Sequence, residues 1–173
     1  MTKNSIQLTV LTLVLILAQA VVFNRVCLFG VAVPLLYVYA LFKLPVNLNV
    51  NWVLTVGFLL GLSVDVFYDT YGVNALACTV AAMMRRPVLR LYMLRGDEPV
   101  DQVPSQASLG RSVYLKYMVT MTLLFCLLVF VIQSFTFFNF WRLTLRVVFS
   151  TVLTMALMLG VDCLYVRRRE KRL

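Results

Sequence analysis

The sequence predicts an all-α membrane bundle of about six transmembrane helices, and three observations carry that prediction. Of 173 residues, 62% are hydrophobic and only 13% charged, where a soluble domain carries about 25% charged residues. Mean hydropathy is +0.90. The apolar residues fall into long runs separated by short polar or basic stretches. A chain with so little polar surface has lipid as its expected solvent, where helices satisfy their own backbone groups. Its length suits a single integral membrane domain, residues 1–173.

A span needs about 20 apolar residues to cross a hydrocarbon core of about 30 Å. The first run, 6–23, follows Lys3 and has that length. Ala18-Gln19-Ala20 has the small-x-small form of a signal cleavage site. The run nevertheless continues through Val21, Val22 and Phe23 with further spans close behind, so it is read as a retained helix. The second run, 26–42, contains Pro34, a kink that neighbouring helices tolerate in a membrane, and closes with Lys43-Leu44-Pro45. An Asn-rich linker leads to Trp52 and the third span, 52–68. The fourth, 71–86, is short in uncharged residues. Either one helix begins at Tyr71 and continues past Arg85-Arg86-Pro87 to Leu94, both arginines snorkelling to the inner headgroups, or Val88–Leu94 lies in the interface as a separate amphipathic turn; the preferred reading is a short, kinked span followed by an interfacial stretch. A polar loop over 96–110 carries Asp97, Glu98, Pro99, Asp101 and Pro104. The fifth span is 113–135. The aromatic cluster Phe135, Phe137, Phe138, Phe140 and Trp141 then reads as an interfacial belt. The sixth, 143–166, ends in a basic tail.

Lysine and arginine set the orientation. With the N-terminus inside, Lys3, Lys43, the basic residues from Arg85 to Lys116 and those of the tail are all internal. Only Arg25, Arg142 and Arg146 fall outside. Both termini are therefore expected in the cytoplasm of a multi-pass protein of the cell (inner) membrane. The clusters Arg85, Arg86, Arg90 and Arg167, Arg168, Arg169 face anionic lipid there. The net charge of +9 is thus read as topology, and no nucleic acid is expected as a partner.

Composition also removes several chemistries. Histidine is absent, which excludes Ser-His and Cys-His catalysis and histidine-ligated metal sites. Cys27, Cys78, Cys126 and Cys163 stand far apart and read as small buried hydrophobes, with no CxxC pair. Phosphate-loop, dinucleotide and Gly-x-Ser-x-Gly signatures are missing. Neither an enzyme nor a cofactor is implied.

The most informative stretch runs from Gly57 to Asp69. Gly57, Gly61, Asp65 and Asp69 recur every four residues and so share one helix face. The glycines make a small-xxx-small surface that admits a second backbone. Two readings of the carboxylates stand side by side. In one they are structural, Asp69 capping the next helix and Asp65 bonding to backbone or water. In the other they bind a cation, a substrate or a partner. Asp162 does not join them, because its place in the sixth span returns it near the opposite face from Asp65. It is expected to pair with Arg167 or Arg168 at the surface.

The pattern Gly61-Leu62-x-x-Asp65, Asp69-x-x-Gly72 and Leu76 resembles the MreD family of bacterial rod shape-determining membrane proteins. The likeness covers the whole length: a short N-terminus, six runs, a Gly- and Asp-containing hairpin, basic residues after the fourth run and a basic tail. The resemblance implies a non-enzymatic scaffold of the cell-elongation (peptidoglycan synthesis) complex. Its implied partners are an MreC-like protein, a RodA-type glycosyltransferase with its transpeptidase, indirectly an MreB-like filament, and membrane lipids. It further implies a bundle similar to the substrate-binding subunits of energy-coupling-factor transporters, with docking at Gly57, Gly61, Asp65, Asp69 and Gly72. The same likeness supplies the alternative of a vitamin-binding transporter subunit. Against that alternative, Ala18 is followed four residues on by Val22, so the Ala-x-x-x-Ala patch of such subunits is missing.

Overall fold

In the computed structural model the described residues are 12, 14–16, 19, 34–93, 104, 109–133 and 140–170, with the side chains of 140, 142 and 164–170 excepted. Most of the first run, residues 26–33 with Cys27, nearly all of the polar loop and the aromatics at 135–138 lie outside them. Among the described residues the chain is helical without strands. Its helices are α1 (Val38–Phe42), α2 (Val50–Tyr68), α3 (Val73–Tyr92), α4 (Arg111–Gln133) and α5 (Phe140–Glu170).

Length and apolarity together make three of these able to cross a membrane: α2, α4, and α5 over Leu143–Cys163. The third, fifth and sixth runs therefore appear as expected, extended by a turn or less at most ends. At 1.5 Å per residue α5 is about 46 Å long, well beyond a hydrocarbon core of about 30 Å. The fourth run follows the continuous alternative rather than the preferred short span. It does not stop at Arg86 but continues as a single helix to Tyr92, with Pro87 inside it. Its 20 residues give about 30 Å of helix, the length of a span, although Arg85, Arg86 and Arg90 make it far more polar than its neighbours. Proline removes one backbone donor, and spanning helices accommodate that loss through neighbouring elements.

The second run departs further. Over the described part, Pro34 to Tyr37 are non-helical and only Val38–Phe42 forms a helix. Every residue from Pro34 to Phe42 is buried. Broken backbone inside an apolar bundle survives only if its polar groups find partners, and here remote side chains provide them. The Leu35 N–H donates to Thr154 Oγ1 at 3.1 Å. The Leu36 N–H donates to Gln19 Oε1 at 3.0 Å, while Gln19 Nε2 donates to the Pro34 carbonyl at 2.8 Å. Gln19, in a π-type turn and fully buried, therefore replaces two of the bonds a continuous helix would have made.

Sequence neighbours pack side by side: α2 on α3, α3 on α4, α4 on α5, with α1 set against α3 and α4. The core around α1 is aromatic and sulfur-rich, holding Tyr37, Tyr39, Phe42, Tyr114, Tyr117, Met118, Met121, Phe125 and Met158. Tyr37 meets Phe125 edge-on at 5.8 Å between ring centroids, and Phe42 meets Tyr117 at 6.3 Å. These are favourable edge-to-face separations.

Candidate functional site

The Gly57–Asp65 face of α2 is turned toward α3 of the same chain. A Cβ added at Gly61 would lie 2.5 Å from Ala75 Cα and 2.7 Å from Ala75 N, and closer still to Asn74 O. At Gly57 it would meet Ala82 Cβ at 3.1 Å and Cys78 O at 3.2 Å. Both glycines are thus the close-approach points of the α2–α3 pair. The surface expected to receive a partner helix at Gly57 and Gly61 is filled by α3 itself.

Asp65 completes this hairpin. α3 opens at Gly72, whose φ of 78° lies in the left-handed region and whose lack of a side chain leaves the first turn without a side-chain cap of its own. Asp65 supplies the cap from the preceding helix. Oδ1 accepts the Asn74 N–H at 3.0 Å, Asn74 Nδ2 at 3.0 Å and the Thr70 hydroxyl at 2.5 Å. Oδ2 accepts the Ala75 N–H at 2.8 Å. A carboxylate at a helix N-terminus satisfies orphan donors and meets the favourable end of the helix dipole. Of the two structural roles the sequence offered, the cap belongs to Asp65. Asp69 is instead the left-handed C-cap of α2, at φ 54°, exposed, its N–H returning to the Asp65 carbonyl. Aspartate is among the few residues that tolerate this conformation. Tyr37 extends the set from α1, its hydroxyl donating to Asn74 Oδ1 at 2.7 Å.

A second polar cluster closes the other end of α1. Lys43, just after the helix, pairs with Asp162 of α5 at 2.9 Å. Tyr39 donates to Asp162 Oδ1 at 2.5 Å, and the Tyr114 hydroxyl of α4 donates to Oδ2. The Lys43 ammonium also lies over both phenol rings, 5.4 Å from the Tyr39 centroid and 4.9 Å from that of Tyr114. Lys43 and Asp162 are both buried, 8% and 3% exposed. Asp162 is therefore an internal fastening rather than the surface partner of Arg167 or Arg168 that its i+5 and i+6 spacing suggested. Asp65 and Asp162 have wholly separate partners, in keeping with their predicted separation.

The basic residues of α3 divide three ways. Arg90 is exposed. Arg86 is half-buried and does not simply reach outward: its Nη2 donates to the carbonyls of Val46, at 3.2 Å, and Leu48, pinning the Lys43–Asn49 linker. Arg85 is 2% exposed. Arg167, Arg168 and Arg169 lie in α5 with side chains outside the described residues. Gly72 touches nothing that a Cβ would meet, and beside it Tyr71 is fully exposed. Among cysteines, Cys78 and Cys126 are buried and free as expected, whereas Cys163 is exposed on α5.

Sequence reasoning missed Gln19, Asn74, Tyr39 and Tyr114, and assigned Lys43 to topology alone. The only signal available was that each is a hydrogen-bonding group within or beside an apolar run, where such groups are costly unless paired. Comparison with protein-family models, with curated proteins and with solved structures finds no match to this chain.

Proposed function

We propose that the protein is a non-enzymatic scaffold of the bacterial cell-elongation machinery, as its resemblance to MreD implies. On this reading it is a six-span bundle of the cell membrane with both termini cytoplasmic. One observation supports it above the others: the carboxylates within the apolar runs are engaged by the chain's own donors. Asp65 holds a helix terminus and Asp162 an ion pair with two phenols. Such an arrangement makes a rigid body with defined outer faces, which is what an assembly component requires. The outward features are then the docking elements. They are the Asp69–Gly72 turn with its exposed Tyr71, and the adjoining α2 face of Phe58, Leu62, Val66 and Phe67, each of them exposed. An aromatic with a polar tip at a rim is a favoured interface residue.

The test is affinity purification of the detergent-solubilised protein, with co-purifying proteins and small molecules both identified by mass spectrometry. The scaffold reading expects MreC-like or RodA-type partners, lost on Tyr71→Ala combined with Asp69→Ala. A stoichiometric vitamin together with a coupling ATPase would replace that reading with transport.

A further inference from the structure

Tyr39, Lys43, Tyr114 and Asp162 meet where α1, α4 and α5 converge, and the four do not play equal parts. Three of them are joined without the lysine. The Tyr39 hydroxyl donates to Asp162 Oδ1 at 2.5 Å and the Tyr114 hydroxyl donates to Oδ2. One carboxylate on α5 thus fixes two phenol rings, one from α1 and one from α4, and all three side chains are buried. The enclosure they make is set by bonds in which Lys43 has no part.

Lys43 occupies that enclosure. It follows α1 as the C-cap residue and reaches in on a flexible stem. Its Nζ lies 2.9 Å from Asp162 Oδ1, 4.9 Å from the Tyr114 centroid and 5.4 Å from the Tyr39 centroid. Both ring distances are within the roughly 6 Å over which an aromatic face attracts a cation. Two aromatic walls and a carboxylate are the parts that recognise organic ammonium ions, and the carboxylate selects among them. A quaternary ammonium has no N–H to offer a carboxylate at hydrogen-bond distance. A guanidinium is a broad planar fork, whereas a primary ammonium is a compact point charge.

We propose that Tyr39, Tyr114 and Asp162 form a binding site for a primary ammonium ion, which the chain fills with its own Lys43 as a tethered ligand. The lysine is then the occupant of the site and not one of its walls. Truncating it vacates the space of the stem and head, and an external primary amine takes their place. Filling the site latches the end of α1 to α4 and α5. A plain ion pair would accept any cation that reaches the carboxylate, so selectivity separates the two arrangements. The assignment concerns the chain's own residues and stands whether or not the scaffold reading does.

The full-length Lys43→Ala variant in detergent is titrated with n-propylammonium, which carries the atoms that truncation deletes. Tetramethylammonium and guanidinium, at the same sub-denaturing concentrations and constant ionic strength, are the comparison ions, and thermal unfolding is the readout. Lys43→Ala alone should lower the unfolding midpoint by several degrees. n-Propylammonium should recover about half of that loss or more, saturating with concentration as site binding requires. The two comparison ions should recover less than about a fifth, lacking the compact N–H-bearing head. Wild type, its site already filled, should not respond, and Lys43→Ala combined with Asp162→Asn should lose the response. Should Lys43→Ala purify poorly, the monodisperse fraction recovered by size exclusion after purification in each ion gives the same comparison. The proposal is overturned if n-propylammonium recovers no more than the comparison ions, if wild type gains as much as the variant, or if the Asp162→Asn combination still responds.

Discussion

Replacing Asp65 by alanine tests the reading of the hairpin most directly, because its cost can be worked from the structure. The substitution removes the acceptor of two backbone N–H groups at the start of α3, of the Asn74 amide and of the Thr70 hydroxyl. Water cannot readily take over, since Asp65 is 4% exposed and Asn74 6%. Hydrogen bonds to a charged group contribute about 1.5–3 kcal/mol each, and a buried donor left unsatisfied costs about 1–3 kcal/mol. The two backbone donors alone therefore set a floor of about 3 kcal/mol. Shared partners and local relaxation hold the total to about 3–5 kcal/mol, above the usual cost of about 0.5–2 kcal/mol for losing an N-cap. Asp65→Asn keeps the shape and one acceptor oxygen but turns an N–H₂ toward a backbone donor and loses the charge–dipole attraction, worth up to about 2 kcal/mol. It should fall roughly midway.

Cys78 makes the measurement possible. It is fully buried in α3, its carbonyl beside Gly57 of α2 and its thiol beside Tyr37, whose hydroxyl is tied to the same cap through Asn74, so the thiol is reached only when the packing around the start of α3 opens. In a variant that keeps Cys78 as its only cysteine, the maleimide labelling rate in detergent reports that opening. A loss of about 3 kcal/mol should raise the rate on the order of a hundredfold, since about 1.4 kcal/mol is a factor of ten. Asp69→Asn, which keeps at the exposed C-cap a residue that tolerates the left-handed conformation, is the control and should change it little. If Asp65→Ala labels within about threefold of Asp69→Asn, the capping argument is wrong.

Three further outcomes are expected. Gly61→Ala should destabilise α2–α3 more than Gly57→Ala, because its Cβ collides with Ala75 backbone rather than pressing on Ala82 and Cys78. Gly160→Ala, open on all sides in α5, should stabilise by about 0.5–1 kcal/mol; thermal unfolding ranks the three. Asp162→Leu or Lys43→Met alone should cost about 3–5 kcal/mol by leaving a buried charge unpaired. The double variant should recover part of that loss but not all, because the hydroxyls of Tyr39 and Tyr114 are left without their acceptor; a double-mutant cycle on the unfolding midpoint measures the coupling. Finally, the proposed orientation expects C-terminal fusions to fluoresce as a green fluorescent protein and to stay inactive as an alkaline phosphatase, and the reverse pattern would refute it.

The features the sequence made legible are those that depend on local pattern. The runs at 52–68, 113–135 and 143–166 needed only apolar length to be found, and they appear as α2, α4 and α5. The four-residue recurrence of Gly57, Gly61 and Asp65 correctly placed them on one face, but spacing cannot say which helix that face meets. The answer depends on Gly72 turning the chain straight back so that α3 lies against α2. The sequence favours a stop at Arg85-Arg86-Pro87 over the continuous helix that forms, because charge and proline are local stop signals. In the fold both arginines have somewhere to go: one is clamped on the linker carbonyls, the other turned into the α3–α4 interface.

The break in the second run shows why such misreadings concentrate at polar residues. Pro34 is visible in sequence, and the residue before a proline is biased away from helix, so a kink was foreseeable. A segment unwound as far as Tyr37 was not, because its stability depends on Gln19 and Thr154, which lie 15 and 119 residues away from their partners. The same holds for α1 as a whole. Five residues make an unstable helix in isolation, and this one is held by Tyr37 on Asn74 at one end and Lys43 on Asp162 at the other. Its polar ends, not its apolar middle, fix its position among helices that would otherwise slide on one another. In lipid the contacts between apolar helix faces supply little preference for any one register, so the register must come from directional bonds. That is why the polar side chains scattered through the apolar runs, singly unremarkable in the sequence, converge on α1 in the fold.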